Sequence, residues 1–168
     1  EFYRRTYLSG GLRNLLLTAL FRIGGQGGEP INVLSADLGS GRTHALLALY
    51  HLFSGAEPGD LAGVDSILRE AGIDRVPPAR RVVLAGTALS SALARTKPDG
   101  TVVRTLWGEV AWQLGGPEAY GLTADADARG VSPGERLVRE LLVRYGPALI
   151  LVDEWLPFAR QIYGKSDP

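Results

Sequence analysis

A chain of 168 residues, 45% hydrophobic and 21% charged, has the size and balance of one soluble globular domain with a core of its own. Lysine plus arginine equal aspartate plus glutamate at 18 each, so no overall field attracts or repels nucleic acid, and any DNA contact must come from a local patch or from elsewhere. The absence of cysteine excludes a disulfide framework and a thiolate metal site, which fits a reducing cytoplasm, and no apolar run approaches the roughly 20 residues of a bilayer span. The start lacks a signal core. With no methionine and Glu1 at its head, the chain is expected to be a piece of a longer protein.

In chain order, Ser9 caps a predicted helix with Leu12, Leu15, Leu16, Ala19, Leu20 and Ile23 on one face, stopped by Gly24 and Gly25. Residues 24–30 form a flexible connection. Residues 31–35, I-N-V-L-S, are short, branched and apolar, the pattern of a strand buried on both faces of a parallel sheet. A glycine-rich turn follows, then a helix over 43–53 with a broad apolar side, and a shorter one over 64–71 stopped by Gly72. Residues 81–86 read as a second strand. A helical turn over 90–95, a Pro98-Asp99-Gly100 turn and an extended piece over 101–103 come next. The helix from Thr105 is expected to bury Leu106, Val110 and Leu114 and to end at Gly115 and Gly116. A polar, alanine-rich stretch runs to Gly130. Ser132 as cap, Pro133 at the first position and Glu135 three after the cap predict a helix burying Leu137, Leu141 and Leu142. Residues 149–152 are the third strand and 155–163 a last helix. Strands alternating with helices predict an α/β fold, a parallel sheet with helices on both faces.

Two stretches carry chemistry. The first, A-D-L-G-S-G-R-T over 36–43, has the layout of a phosphate loop: a strand, a glycine-rich turn, a basic residue and a hydroxyl, then a helix. Backbone N–H groups and the helix N-terminus point at an anion, and glycines let the main chain approach it. Gly39, Ser40, Gly41, Arg42 and Thr43 are the candidate nucleotide ligands, with the Thr43 hydroxyl placed for Mg²⁺. Against G-x-x-x-x-G-K-[ST], Ala36 replaces the first glycine and Arg42 the lysine. Arginine keeps the charge, but its planar fork does not copy a compact ammonium between phosphates, so binding survives more readily than hydrolysis. The plain alternative is an ordinary strand-to-helix turn.

The second stretch, A-L-I-L-V-D-E over 148–154, is an apolar strand ending in two carboxylates. Asp153 suits Mg²⁺ held through water, and Glu154 suits orienting and deprotonating an attacking water. Here the alternative is a strand end whose acids face solvent. His44 and His51 are seven residues apart with no carboxylate pair at metal spacing, so surface or packing roles are favoured. Trp107 and Trp112 belong to an apolar helix and read as core. Arg104 reads as solvated, and Thr87 follows a strand where parallel sheets bind ligands.

Several phrases are more distinctive than these motifs: R-T-Y-L at Arg5, R-T-H at Arg42, A-L-Y-H-L-F-S-G at Ala48, T-K-P-D-G-T at Thr96, R-T-L-W-G-E at Arg104, A-W-Q-L-G-G at Ala111 and L-V-D-E-W at Leu151. On them the chain resembles the N-terminal part of large prokaryotic ATPases catalogued as domain of unknown function four-nine-nine. The resemblance implies a three-layer αβα P-loop NTPase-like fold of the AAA-like branch, present here as a partial domain: residues 1–30 an N-terminal helix and linker, 31–168 a nucleotide-binding core lacking later strands. It implies ATP and Mg²⁺ as cofactors and a role in DNA modification or phage defence. DNA would be met through the rest of the chain or a methyltransferase or helicase partner, in the cytoplasm, without membrane contact and as a homo-oligomer. Nucleotide contacts carry over to Gly39, Gly41 and Thr43 and acidic roles to Asp153 and Glu154; the family's usual Gly-Lys-Thr makes Arg42 a departure. In such sheets a later strand stands between the loop strand and the acid-bearing strand, so a gap between the strands at Ile31 and Leu149, or incomplete folding of the piece alone, is expected.

The leading expectation is Mg²⁺-dependent ATP hydrolysis. A nucleotide-binding switch or scaffold module with little hydrolysis is the alternative, since Arg42 replaces lysine. A small-molecule kinase is disfavoured because no arginine-rich lid appears.

Overall fold

The computed structural model describes residues 1–35, 41–86 and 94–163. The chain divides into two compact units, residues 1–79 and 80–168.

The first unit is helical. A 3-10 turn at Phe2–Arg5 precedes α1 (Gly10–Ile23), α2 (Arg42–Leu52) and α3 (Val64–Ala71). Ser9 caps α1 as its sequence predicts, its hydroxyl accepting the Leu12 N–H at 3.3 Å. Gly72 ends α3 with φ 67°, the left-handed conformation that a glycine adopts without strain. Helix α1 packs on α2 and α3, and Leu16, Leu20, Leu52, Val64 and Ile67 are fully buried. The Tyr3 hydroxyl donates to the Ala48 carbonyl at 2.7 Å, tying the N-terminus to α2. Burial pushes that phenol well above its usual pKa, so it stays a donor. Arg13 reaches from α1 to Ser66 and Glu70 on α3.

The strand expected over 31–35 does not form. Those residues carry no secondary structure, and Ile31 and Val33 are 78% and 83% exposed. Branched apolar residues favour strands because they pack against neighbours on a pleated surface, and among the described residues no strand pairs with this segment. The expected gap between strands at Ile31 and Leu149 therefore has no counterpart here. Residues 36–40, with most of the predicted glycine turn, and 87–93, with Thr87 and most of the predicted turn over 90–95, lie outside the described residues.

The second unit is built on a parallel pair of strands, β1 (Arg80–Ala85) and β4 (Ala148–Asp153), in register from Arg80 beside Ala148 to Ala85 beside Asp153. Its fold is mixed α/β with a small parallel sheet. Between the two strands the chain forms an antiparallel hairpin, β2 (Arg95–Thr96) with β3 (Val102–Val103), then α4 (Leu106–Gly121), α5 (Ala124–Ala128) and α6 (Gly134–Tyr145); α7 (Trp155–Tyr163) follows β4. At the ends of the ladder the Arg80 N–H donates to the Pro147 carbonyl and the Gly86 N–H to the Asp153 carbonyl. That parity turns the backbone of Arg80, Val82, Leu84 and Gly86 toward β4 and that of Val83 away from it.

Val82 and Leu84 pack with Val110, Ala111 and Leu114 of α4, Leu141 and Tyr145 of α6 and Phe158 of α7. Ile150 and Val152, on the same face of β4, are each 39% exposed. The core thus covers β1 better than β4.

Two predicted boundaries shift. Helix α4 does not end at Gly115 and Gly116 but breaks there, with Gly116 at φ 63°, and resumes at Pro117. Proline suits a first helical turn, so the stop and the restart fall side by side. The Gly115 position is also fixed by packing, since a Cβ there would lie 2.5 Å from the Tyr145 ring. Helix α6 starts at Gly134 after Pro133, with no side-chain cap, and Ser132 instead accepts the Gly134 N–H at 3.3 Å. Gly134 has φ 81°, which is not helical and moves the cap one residue along. Leu141 and Tyr145, one turn apart, form its buried stripe; Leu137 is half-buried and Leu142, rotated off that line, is 39% exposed rather than core.

Asp127 on α5 is 1% exposed and organises this crossover. Its carboxylate accepts the backbone N–H of Arg104 at 2.9 Å and of Thr105 at 2.7 Å, the Thr105 hydroxyl at 2.6 Å and the Tyr120 hydroxyl at 2.9 Å. It sits at the start of α4, where negative charge is favoured. Gly108 leaves room for it, since a Cβ there would lie 2.2 Å from Oδ1. Burial, then the bond to Asp127, raises the Tyr120 phenol above its usual pKa. Replacing Asp127 with alanine is expected to orphan these donors and lower stability by about 3 kcal/mol, measured by urea denaturation.

Candidate functional site

The predicted site residues fall in both units. In the first, Gly41 stands as the N-cap of α2 with φ 87°, a conformation glycine adopts readily, and brings no side chain of its own to cap the helix. Arg42 and Thr43 open the helix and are exposed, and the first turn contains no acidic residue. A helix start of this kind presents backbone N–H groups and partial positive charge to an anion. Gly39 and Ser40 lie outside the described residues.

Asp153 and Glu154 stand at the C-terminal end of β4 in the second unit, the end of a parallel sheet where ligands bind. Asp153 is half-buried and Glu154 exposed. Glu154 has φ 51°, the one described residue other than glycine with positive φ. For a residue with a Cβ this conformation costs about 1 kcal/mol or more, and such strain gathers at functional sites. Two contacts hold it: the Glu154 N–H donates to Asp153 Oδ1 at 3.0 Å, and its carbonyl lies against Gly86, where a Cβ would come within 1.9 Å of the oxygen. Gly86 therefore determines how the acid pair turns off the strand. Sequence reading placed this glycine at a strand end without a role; a glycine closing a parallel strand beside an acid-tipped one was the available signal.

The residues given weaker roles are accounted for locally. Phe2 stacks on His44 at 4.8 Å and on His51 at 4.7 Å, so the two histidines pack one aromatic ring on a single face of α2. Trp112 donates its indole N–H to Asp99 at 2.8 Å and carries the Lys97 ammonium 4.5 Å above its ring. Hydrogen bonds from Thr101 hold the Asp99 carboxyl below its usual pKa. Trp107 is half-buried, and Arg104 is exposed with its guanidinium on the Val102 carbonyl at 3.4 Å.

Sequence reading also missed a buried polar group on α4. Glu109 is 5% exposed and pairs with Lys97 at 2.7 Å, and Gln113 one turn later bonds both Glu109 and β1. A glutamate on the apolar side of a helix, four residues before a glutamine, was the visible signal. A shallow groove of about 390 Å³ along α6, lined by Glu135, Val138, Arg139, Leu142 and Val143, includes none of the candidate residues. No cluster of three or more metal-binding side chains occurs among the described residues, and no helix among them is long and apolar enough to cross a membrane.

A mixed α/β architecture with an acid pair at the end of a parallel strand defines the class. Across residues 1–167 the chain matches the family model described as the DUF499 N-terminal domain, and it belongs to that family. Comparison with curated proteins and with solved structures returned no match.

The contact at Gly86 gives a direct test. Gly86→Ala is expected to lower stability by about 1–3 kcal/mol in denaturant unfolding, because neither the Gly86 backbone nor the Glu154 carbonyl can give way without breaking the ladder. Glycine to alanine at exposed Gly121 serves as the control, since open space surrounds it.

Proposed function

We propose that this chain is part of a P-loop ATPase of the AAA-like branch that binds ATP with Mg²⁺ and hydrolyses it. The observation that carries the reading is the acid pair: a half-buried carboxylate at the end of a parallel strand, followed by a glutamate held exposed in a strained turn. Asp153 is the Mg²⁺ residue, acting through water, and Glu154 orients the attacking water and takes its proton. Gly41, Arg42 and Thr43 at the start of α2, with Gly39 and Ser40 before them, receive the phosphates. The donor set suits Mg²⁺, which keeps several waters and takes one or two protein oxygens plus phosphate oxygens, so a dedicated cage of side chains is not required.

The handedness of the chain supports a larger parallel sheet. Helix α4, on the crossover from β1 to β4, and Phe158 of α7 share the core on one face of the sheet. Crossovers between parallel strands are right-handed, so a second crossover on that face steps onward in the same direction, past β4. A strand following α7 would then lie on the edge of β4 opposite β1 and cover Ile150 and Val152. In the full-length protein the Ile150 and Val152 amides are accordingly expected to exchange with solvent at least tenfold more slowly than in residues 1–168 alone, as ladder formation requires. Equal rates would remove this support.

ATP turnover would power DNA modification or phage defence in the cytoplasm. DNA would be engaged by the rest of the protein or by a methyltransferase or helicase partner, and the chain would act as a homo-oligomer. The decisive measurement is ATP binding and phosphate release by the full-length protein, its Glu154→Gln variant and its Arg42→Lys variant. Glu154→Gln is expected to bind ATP and lose turnover by about 10²-fold or more. A silent parent that gains turnover with Arg42→Lys would instead support the switch reading, in which Arg42 permits binding with little hydrolysis. Failure of every form to bind ATP would end both.

A further inference from the structure

The edge of β1 that faces away from β4 is occupied by a side chain. Gln113 lays its amide along the strand: Oε1 accepts the Val83 N–H at 2.7 Å, and Nε2 donates to the Val83 carbonyl at 3.0 Å. One side-chain amide thus makes the two bonds that a neighbouring strand would make to this residue. The second Nε2 hydrogen goes to Glu109 Oε1 at 2.7 Å, and Lys97 donates to the same oxygen at 2.7 Å.

Counting donors and acceptors fixes the orientation of this amide. A carboxylate only accepts, so the Glu109 side of Gln113 must be its NH₂; flipping the amide would set two acceptors against each other and leave two N–H groups facing at Val83. Lys97 pairs with Glu109 at 2.7 Å beside the Trp112 ring, and the side chains of this ion pair are 13% and 7% exposed. The hairpin, α4 and β1 are therefore joined by a polar relay with one arrangement that satisfies every member.

This relay ends three residues before Gly86. β1 is tied to β4 on one edge and, at Val83, to α4 on the other. Gly86 donates to the Asp153 carbonyl at 2.8 Å, and its Cα faces the Glu154 carbonyl, so the height of β1 sets the ledge on which the acid pair rests. We propose that Gln113 is a positioning residue for Glu154, acting through Val83 and Gly86, with Glu109 and Lys97 holding its amide in the working orientation. The proposal rests on the reading of Glu154 as the group that activates water.

The test uses the full-length protein with Gln113→Ala and, as a milder variant that frees the amide to flip, Glu109→Gln. In both, hydrogen exchange at the Val83, Gly86 and Glu154 amides is expected to accelerate about tenfold, the equivalent of one lost hydrogen bond, while Leu20 and Ile67 of the first unit are unchanged. ATP turnover is expected to fall about tenfold at saturating ATP with KM within twofold, since binding is left intact and only the water-activating step is displaced. Faster exchange at Val83 without any change at Gly86 and Glu154 would overturn the proposal, as would unchanged turnover in a parent that hydrolyses ATP. A parent without turnover counts against the ATPase reading, and the exchange pattern then decides the linkage from Gln113 to Glu154 by itself.

Discussion

The parallel ladder between β1 and β4 is the constraint to which the second unit answers. Parallel strands cannot be joined by a tight turn, so the residues from 86 to 147 form one long crossover, and its helices must bury the face that carries Val82 and Leu84. A sheet of two strands also has two edges and little ladder of its own to sustain it. The two edges are treated differently. Gln113 supplies a side-chain substitute for a strand along β1, while the far edge of β4 borders Ile150 and Val152, which the core leaves half-covered. One edge is finished by polar bonding and the other is left in the form to which another strand can add.

Burying a carboxylate is expensive unless it is hydrogen-bonded or paired, and the crossover contains two that are. Asp127 gathers the Arg104 and Thr105 N–H groups and two hydroxyls at the head of α4. Glu109 gathers Lys97 and Gln113 one turn further along. Between them they set where α4 begins and how it lies against β1. The phrases T-K-P-D-G-T and R-T-L-W-G-E, two of the distinctive ones in the chain, thereby acquire a physical account: Lys97, Asp99, Thr105, Gly108 and Glu109 are parts of a polar scaffold. Their chemistry is structural, and it stands behind the acid pair without touching it.

Local signals in the sequence were legible where the deciding atoms lie within a turn of each other. Ser9 over Leu12, the Gly72 stop and the Pro98-Asp99-Gly100 hairpin turn are of this kind. What failed depended on distant partners. Gly115 and Gly116 read as a stop, but Tyr145 from α6 packs into the Gly115 position and Pro117 restarts the helix. Leu142 read as core because it continues an apolar run, although the stripe facing α4 passes through Leu141 and Tyr145. The apolar residues 31–35 read as a strand, yet a strand exists only in a ladder, and pairing leaves no mark within a single segment. The acid pair was visible as two letters after an apolar run; the glycine that shapes it was 68 positions away, a relation that only the parallel register reveals.

That register bears on how a site of this type divides its labour. In the proposed reading, a phosphate loop acts mainly through backbone N–H groups and the field of a helix start, which tolerate a change of side chain, so Arg42 in place of lysine would weaken discrimination between ground and transition state more than affinity. Water activation has no such tolerance, because it depends on the direction in which one carboxylate points. Glu154 pays conformational strain to leave the strand at φ 51°, and its carbonyl is braced on a glycine that cannot be enlarged. Strain survives in a fold only where the surroundings over-determine it, and here the bracing strand is itself held on both edges, by β4 and by Gln113. The geometry of the acid end is therefore set by a chain of fixed contacts, the condition that the proposed water-activating role of Glu154 requires.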